Sequence, residues 1–124
     1  MVFMSELLSK LDLRVESEAV PLLENLVDEL LRWNPRRNLT AITERDEIIE
    51  KHLVDSLTLL PFAHRASHLL DIGSGAGFPS LPLKIVCPEL KVVSVDAVGK
   101  KIDFQRHIAR SHGLKGFKAL HARV

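Results

Sequence analysis

Residues 68–78 read HLLDIGSGAGF, a short apolar run that leads into three closely spaced glycines. The apolar run is typical of a buried β-strand, and glycines let a ligand approach the backbone because they carry no side chain. Residues 78–86 have helical character, with prolines near the start, where a missing N–H group costs little. A strand, a glycine-rich turn and a helix in this order predict the first unit of a parallel α/β sheet.

The sequence that follows repeats this alternation of strand and helix. Residues 91–95, KVVSV, are predicted to form a β-branched strand. Residues 99–112 are predicted to form a helix with Gly113 as its C-terminal cap, and residues 117–121 a third strand. We therefore predict that residues 65–124 form the first half of a doubly wound, Rossmann-like parallel sheet, truncated after about three strands.

Residues 1–64 are predicted to form an N-terminal helical subdomain. Apolar side chains recur at the spacing of one helical face between residues 23 and 31. This helix should end near Trp33, because Asn34 precedes a proline and is pushed out of helical geometry. Residues 34–43 should then form a polar and basic connection.

A second helix is predicted to begin at Thr43, because Asp46 completes a variant of the capping box three residues later. This helix should stop at Pro61. His52 and Asp55 lie three residues apart within it, a spacing that suits a metal ligand pair or an acid–base pair. Since no further ligand lies at a suitable spacing, we predict no metal site, and instead a structural hydrogen bond that joins the helical part to the sheet.

The glycine loop, defined here as residues 73–77, and a later acidic residue together predict a nucleotide-type cofactor. Asp96 follows Gly77 by nineteen residues and ends the second strand, where it can accept hydrogen bonds from ribose hydroxyls. Phe78 occupies the position at which the dinucleotide fingerprint GxGxxG has its last glycine, and its ring is a poor fit beside a pyrophosphate. The DxGxGxG pattern of residues 71–77 instead resembles the first motif of class I methyltransferases. A nicotinamide-dependent oxidoreductase is the alternative.

Six stretches form a combined pattern from residue 33 onward. They are WN at 33–34, NLTAI at 38–42, KH and DS within 51–56, LLDIGSGAGFPSLPL at 69–83, VDAVGKKIDF at 95–104 and LHARV at 120–124. In this order and spacing they resemble the small-subunit rRNA guanine-N7 methyltransferases (RsmG, also called GidB). The resemblance implies transfer of the methyl group of S-adenosylmethionine to N7 of a guanine in 16S rRNA. Ser80 departs from the family pattern, in which glycine usually follows the FP pair.

The resemblance also implies which residues contact the cofactor. By matching positions, Gly73 and Phe78 would contact S-adenosylmethionine, and the backbone of Val124 would lie beside its adenine. We add Gly75, because the glycine loop permits close approach of a ligand, and Asp96 for the ribose. Guanine N7 has a lone pair and no proton to lose, so we predict no catalytic residue and expect catalysis through positioning.

Basic side chains are the candidates for contacting RNA phosphates, with 16S rRNA or the small ribosomal subunit as the predicted partner. The candidates are Arg32, Arg36, Arg37, Lys100, Lys101 and Arg106. Arg36 and Arg37 stand out because they are predicted to lie in a loop, and Lys100 and Lys101 because they flank the end of the second strand. An ordinary solvated charge is an equally good interpretation of each. A non-catalytic RNA-binding remnant is a further alternative.

The composition limits the remaining possibilities. The chain has 124 residues, of which 46% are hydrophobic and 27% charged, as in one soluble globular domain. A net charge of +1 neither requires nor excludes a nucleic-acid partner. The single cysteine, Cys87, excludes an intrachain disulfide, and neither a secretory signal nor a membrane span is evident, so we predict a cytoplasmic protein. The oligomeric state is left open, since an unfinished sheet exposes a strand edge.

Overall fold

The computed structural model describes residues 3–124 as a set of helices followed by alternating strands and helices. The elements are α1 (Met4–Lys10), α2 (Ala19–Arg37), α3 (Arg45–Ile48), a π-helical turn (Ile49–Val54), α4 (Asp55–Leu57), α5 (Leu60–Ala63), β1 (His68–Ile72), α6 (Ser80–Val86), β2 (Lys91–Asp96), α7 (Gly99–Ser111) and β3 (Phe117–His121). This order confirms the predicted α/β class with a helical N-terminal part. Within residues 3–124, no helix combines the length and the apolar character that a membrane span needs.

The three strands form one parallel sheet in the order β1-β2-β3. His68 of β1 pairs with Lys91 of β2, and Val92 of β2 pairs with Phe117 of β3. Because the strands are parallel, their carboxyl ends lie at one edge, where the glycine loop follows β1 and Asp96 ends β2. Open α/β sheets bind their ligands at this edge.

One hydrophobic core joins the helices to the sheet. The helices α2 and α7 each contribute a stripe of buried side chains at helical spacing. These are Leu23, Leu26, Val27 and Leu30 of α2, and Ile102, Phe104 and Ile108 of α7. The face of β1 that points away from this core is exposed to solvent, with Leu70 62% exposed and Ile72 56% exposed. The division into subdomains of residues 1–64 and 65–124 stays a prediction.

The helix α2 continues four residues past its predicted end at Trp33, and that prediction was wrong. Pro35 lies in the last turn, where its missing N–H group removes only one helical hydrogen bond. Asn34 is helical and buried, and its Oδ1 accepts hydrogen bonds from the backbone N–H groups of Leu39 and Thr40, at 2.8 and 2.9 Å. This tertiary contact outweighs the local preference of a residue that precedes proline.

The second predicted helix is divided differently in the structure. Its first turn begins at Arg45, and the residue before it is Glu44 in extended conformation. The capping box of Thr43 and Asp46 was therefore wrong. Pro61 does not stop the helix, since a new helix, α5, carries Pro61 in its first turn, a position that suits proline.

The sheet region follows the predictions more closely. The helix α6 begins at Ser80 rather than at Phe78, and Phe78 and Pro79 lie in the turn before it. The helix α7 ends one residue earlier than predicted, and Gly113 after it has a left-handed φ of 62°. The predicted third strand is confirmed as β3.

Candidate functional site

The three glycines of the glycine loop all have left-handed backbone conformations. Gly73, Gly75 and Gly77 have φ values of 74°, 60° and 102°, which glycine adopts without a steric penalty. A Cβ atom on Gly73 or Gly75 would meet no atom within 4 Å, whereas one on Gly77 would lie 2.5 Å from Cδ1 of Leu81. Gly73 and Gly75 therefore leave space for a ligand beside the backbone, while Gly77 serves close packing.

Asp96 at the end of β2 is tied to the glycine loop by its carboxylate. Its Oδ2 accepts a hydrogen bond from the N–H group of Gly75 at 2.8 Å, and its Oδ1 accepts one from Val98 at 2.8 Å. The structure thus brings together the two elements that the spacing predicted to be close. A carboxylate has about four acceptor positions, so these two bonds leave capacity for ribose hydroxyls. Ribose binding by Asp96 stays a prediction.

A buried polar network supports the glycine loop from the side of α7. Gln105 is fully buried, and its Nε2 donates to Oγ of Ser74 at 2.8 Å and to the carbonyl oxygen of Gly75 at 2.7 Å. Its Oε1 accepts a hydrogen bond from Oγ of Ser94 at 2.6 Å, and Oγ of Ser80 lies 3.4 Å from Oγ of Ser94. Gln105 is not among the site residues predicted from the sequence.

Asp71, the first residue of the DxGxGxG pattern, is a second carboxylate near the glycine loop. Its Oδ2 is buried and has no hydrogen-bond partner within residues 3–124. Burial raises the pKa of Asp71, hydrogen bonds from Ser80 oppose this rise, and the negative charge of Asp96 adds to it. A cationic ligand group beside Asp71 would stabilise its ionised form. Asp71 is not among the cofactor-binding residues predicted from the sequence.

Phe78, just after the glycine loop, packs on the helical part of the chain. Its ring stacks on that of His52, with centroids 5.2 Å apart, and Nε2 of His52 lies 2.9 Å from Oγ1 of Thr40. The predicted hydrogen bond from His52 to the sheet was therefore wrong, since the ring contact makes that connection. Burial lowers the pKa of His52, and the nearby Asp55 opposes this. Contact between Phe78 and a cofactor stays a prediction.

Arg36 and Arg37 lie in the last turn of α2, and the prediction that they occupy a loop was wrong. Together with Arg32 and Trp33 they line a cavity of about 430 Å³, called the basic cavity below. The guanidinium carbon of Arg37 lies 5.0 Å from the centroid of the Trp33 ring. The same ring packs against Phe104, with centroids 5.5 Å apart, and is partly buried against the hydrophobic core.

The arginines of the basic cavity differ in their ion pairs. Arg32 pairs with Glu29 at 2.6 Å, and Arg37 lies 3.9 Å from a carboxylate oxygen of Asp103. Arg36 makes no ion pair with any described residue. Within residues 3–124, the basic cavity therefore contains one guanidinium group that is not paired with a carboxylate.

The other basic candidates are divided by their surroundings. Lys100 and Lys101 lie in the first turn of α7, at the carboxyl edge of the sheet. Arg106 donates from Nε and Nη2 to the carbonyl oxygen of Ala119, at 3.2 and 2.9 Å. These bonds hold α7 against β3, and RNA contact by Arg106 stays a prediction.

Val124 follows β3 at the same edge of the sheet. Asp96 pairs with His121, and the N–H group of Ala122 donates to the carbonyl oxygen of Asp96 at 3.0 Å. Val124, two residues later, is 93% exposed. Its contact with adenine stays a prediction. In the part of the chain from residue 3 to 124, no group of three or more His, Cys, Asp or Glu residues is arranged to hold a metal.

Comparison with known proteins identifies the family. A family model described as GidB, rRNA small subunit methyltransferase G, matches residues 19–124. Proteins named ribosomal RNA small subunit methyltransferase G are similar to the chain: that of Syntrophotalea carbinolica is 50% identical over 121 residues, 98% of this chain and 56% of the relative. Those of Myxococcus xanthus and Geobacter sp. strain M21 are 51% and 53% identical over 114 and 116 residues, 92% and 94% of this chain, and 52% and 54% of the relatives.

The chain thus spans about half the length of the curated relatives it matches. These matches give no support to the oxidoreductase alternative. They are consistent with the three-stranded parallel sheet and its surrounding helices. The chain belongs to the family of rRNA small subunit methyltransferase G.

Proposed function

We propose that this chain forms the cofactor-binding part of an enzyme that transfers the methyl group of S-adenosylmethionine to N7 of a guanine in 16S rRNA. The observation that carries the proposal is the glycine loop, open on the side of Gly73 and Gly75 and tied to Asp96. Membership in the methyltransferase family supports it.

The groups around the glycine loop suit S-adenosylmethionine, which has ribose hydroxyls and a cationic amino group. The hydroxyls can donate to Asp96, whose carboxylate has unused acceptor positions. The cationic amino group can lie near the carboxylate of Asp71, where its charge would offset the burial and the negative charge of Asp96 that raise the pKa of Asp71. We propose as cofactor-binding residues Gly73, Gly75, Phe78, Asp71, Asp96 and the backbone of Val124.

Bound S-adenosylmethionine supplies an electrophilic methyl group, and guanine N7 attacks it without losing a proton. The residues of this chain therefore need not provide a general base, and we assign no catalytic residue. Their work is to bind and orient the two reactants, which can lower the barrier by roughly 7–11 kcal/mol when the geometry is near that of attack.

We propose that the RNA contacts the basic residues Arg36, Arg37, Lys100 and Lys101. The guanidinium groups of the basic cavity match the geometry of phosphate oxygens, and Arg36 has no ion pair among the described residues that a phosphate would have to displace. Lys100 precedes Asp103 by three residues on α7, so both lie on one face of that helix, and Asp103 lies near Arg37. The basic cavity and the start of α7 can therefore contact one RNA strand.

Calorimetric titration with S-adenosylhomocysteine tests the proposal. We expect saturable binding by the chain and none by Gly73→Asp, because the new side chain fills the open space and repels Asp71 and Asp96. Gly113→Asp is the matched control, since Gly113 also has a left-handed φ and open space around it, but lies after α7. It should bind normally.

Two results would count against the proposal. If NADH binds to the chain in place of S-adenosylhomocysteine, the assignment of the cofactor is wrong. If a folded chain binds RNA but no S-adenosylhomocysteine, the chain acts as an RNA-binding segment without a cofactor site.

A further inference from the structure

We propose that Gln105 is a positioning residue whose buried amide fixes the glycine loop in the shape that accepts the cofactor. This inference rests on the proposed function and extends it to a residue that cannot touch the ligand. Gln105 is 0% exposed, so any effect of its side chain on ligand affinity must pass through the loop.

The amide of Gln105 is oriented by three short hydrogen bonds. Both N–H donors point to the glycine loop, one to Oγ of Ser74 at 2.8 Å and one to the carbonyl oxygen of Gly75 at 2.7 Å. Its oxygen accepts a hydrogen bond from Ser94 of β2 at 2.6 Å. Ser94 is itself fully buried in the sheet, so the amide of Gln105 connects the loop to a strand that is held in place by packing.

Gly75 is consequently held on both of its peptide groups. Its N–H group donates to Oδ2 of Asp96 at 2.8 Å, and its carbonyl oxygen accepts from Gln105. A glycine without such bonds samples a wide range of backbone conformations, and a ligand would have to select one of them. Fixing Gly75 before the ligand arrives removes that cost.

The side chain of Gln105 also contacts the loop through its carbon atoms. A Cβ atom on Gly77 would lie 3.1 Å from Cγ of Gln105, so this residue packs closely against the last glycine of the loop. Gln105 thus touches the loop at Ser74, Gly75 and Gly77, although it lies about thirty residues later in the chain.

The main test compares Gln105→Met with the unaltered chain. Methionine preserves the length of the side chain and removes both donors and the acceptor. We expect the affinity for S-adenosylhomocysteine to fall at least about 10-fold. A loss of this size is typical when a residue that holds a ligand-contacting group in place is removed. In the ligand-free protein, the amide protons of Gly75 and Gly77 should exchange faster with solvent.

Ile108→Val is the matched control for a purely structural role. Ile108 is fully buried on α7, one turn after Gln105, and belongs to the hydrophobic core. The substitution should lower the unfolding temperature without changing ligand affinity or exchange at the loop. If it weakens binding as much as Gln105→Met does, the effect is one of general stability and the inference is overturned.

Ser94→Ala tests the inference if Gln105→Met does not fold. It removes the hydrogen bond that orients the amide of Gln105 and the longer contact with Oγ of Ser80, but keeps both donors of Gln105. Binding should therefore weaken less than in Gln105→Met, and loop exchange should still increase. Unchanged affinity and unchanged loop exchange in the folded variants would overturn the inference. If the unaltered chain binds no S-adenosylhomocysteine, the proposed function fails for this chain, and loop exchange alone decides the role of Gln105.

Discussion

The glycine loop and the basic cavity use polar side chains in opposite ways. At the glycine loop, Gln105 and Ser94 are fully buried and joined by a hydrogen bond of 2.6 Å, and Gln105 also donates to Oγ of Ser74 at 2.8 Å. At the basic cavity, the Arg37 side chain is 43% exposed and lies 3.9 Å from its acidic partner. A buried, fully bonded network suits one small ligand of fixed shape, whereas exposed guanidinium groups suit a flexible polyanion. The difference predicts rigid binding at one region and salt-sensitive binding at the other.

Gly77→Ala should have the largest effect on stability. The new Cβ atom would lie 2.5 Å from Leu81, at a φ of 102° that side chains rarely adopt. Overpacking and backbone strain together should cost about 2–5 kcal/mol of unfolding free energy. Chemical denaturation measures this loss of unfolding free energy. Gly75→Ala is the control, with open space and a φ of 60°, and should cost about 1–2 kcal/mol. Equal losses in both variants would show that the loop is not packed as described.

Asn34→Ala tests how the backbone that follows α2 is held beside the basic cavity. The two N–H groups of Leu39 and Thr40 would lose their buried acceptor, so the unfolding free energy should fall by about 1–3 kcal/mol. Asn38→Gly is the control, because Asn38 ends α2 with a left-handed φ of 51° that glycine also adopts. The unfolding free energy of that variant should lie within about 0.5 kcal/mol of the value for the unaltered chain. A small effect of Asn34→Ala would mean that its side chain does not fix the end of α2.

The two regions also differ in how far the sequence predicts them. Around the glycine loop, the order of strands and the closeness of Asp96 follow from spacing alone, because parallel strands bring their ends to one edge. Gln105 was missed, although it interrupts the apolar stripe of Ile102 and Ile108 on α7 and so carried a signal. The end of α2 could not be predicted, because it depends on a buried side-chain contact of Asn34 rather than on local preference.

Asp71→Asn should have a smaller effect on stability than Asn34→Ala. It should raise the stability of the fold at neutral pH but weaken ligand binding. Burial raises the pKa of Asp71 in the folded protein above its ordinary value of 3.8. The folded state therefore binds this proton more tightly, and stability is lost as the pH rises from 3.8 through the raised pKa. The variant removes this penalty, so it should unfold at a higher temperature at neutral pH and show no such gain below pH 3.8.

The same substitution should weaken S-adenosylhomocysteine binding about tenfold, because it removes the charge proposed to pair with the cofactor amino group. Thermal unfolding at the two pH values and calorimetry measure the two effects. Ser80→Ala is a useful companion, since it removes the hydroxyl that opposes the pKa rise of Asp71 and should destabilise the chain at neutral pH. A variant Asp71→Asn that is stabilised but binds normally would remove Asp71 from the cofactor site and leave its burial unexplained.

Arg36→Gln should have the smallest effect, which appears only with RNA. Since Arg36 has no acidic partner among the described residues, losing it should leave unfolding and S-adenosylhomocysteine binding unchanged. Affinity for a mixed-sequence single-stranded RNA oligonucleotide should fall a few-fold, and the slope of log K against log salt should decrease by about 0.7 for one lost phosphate contact. Fluorescence anisotropy across a salt series measures both. Arg14→Gln is the matched control, because Arg14 is exposed and lies before α2, at the end away from the basic cavity. An equal loss of RNA affinity in both variants would mean that binding depends on net charge alone. The basic cavity would then not be the electrostatic site that contrasts with the rigid glycine loop.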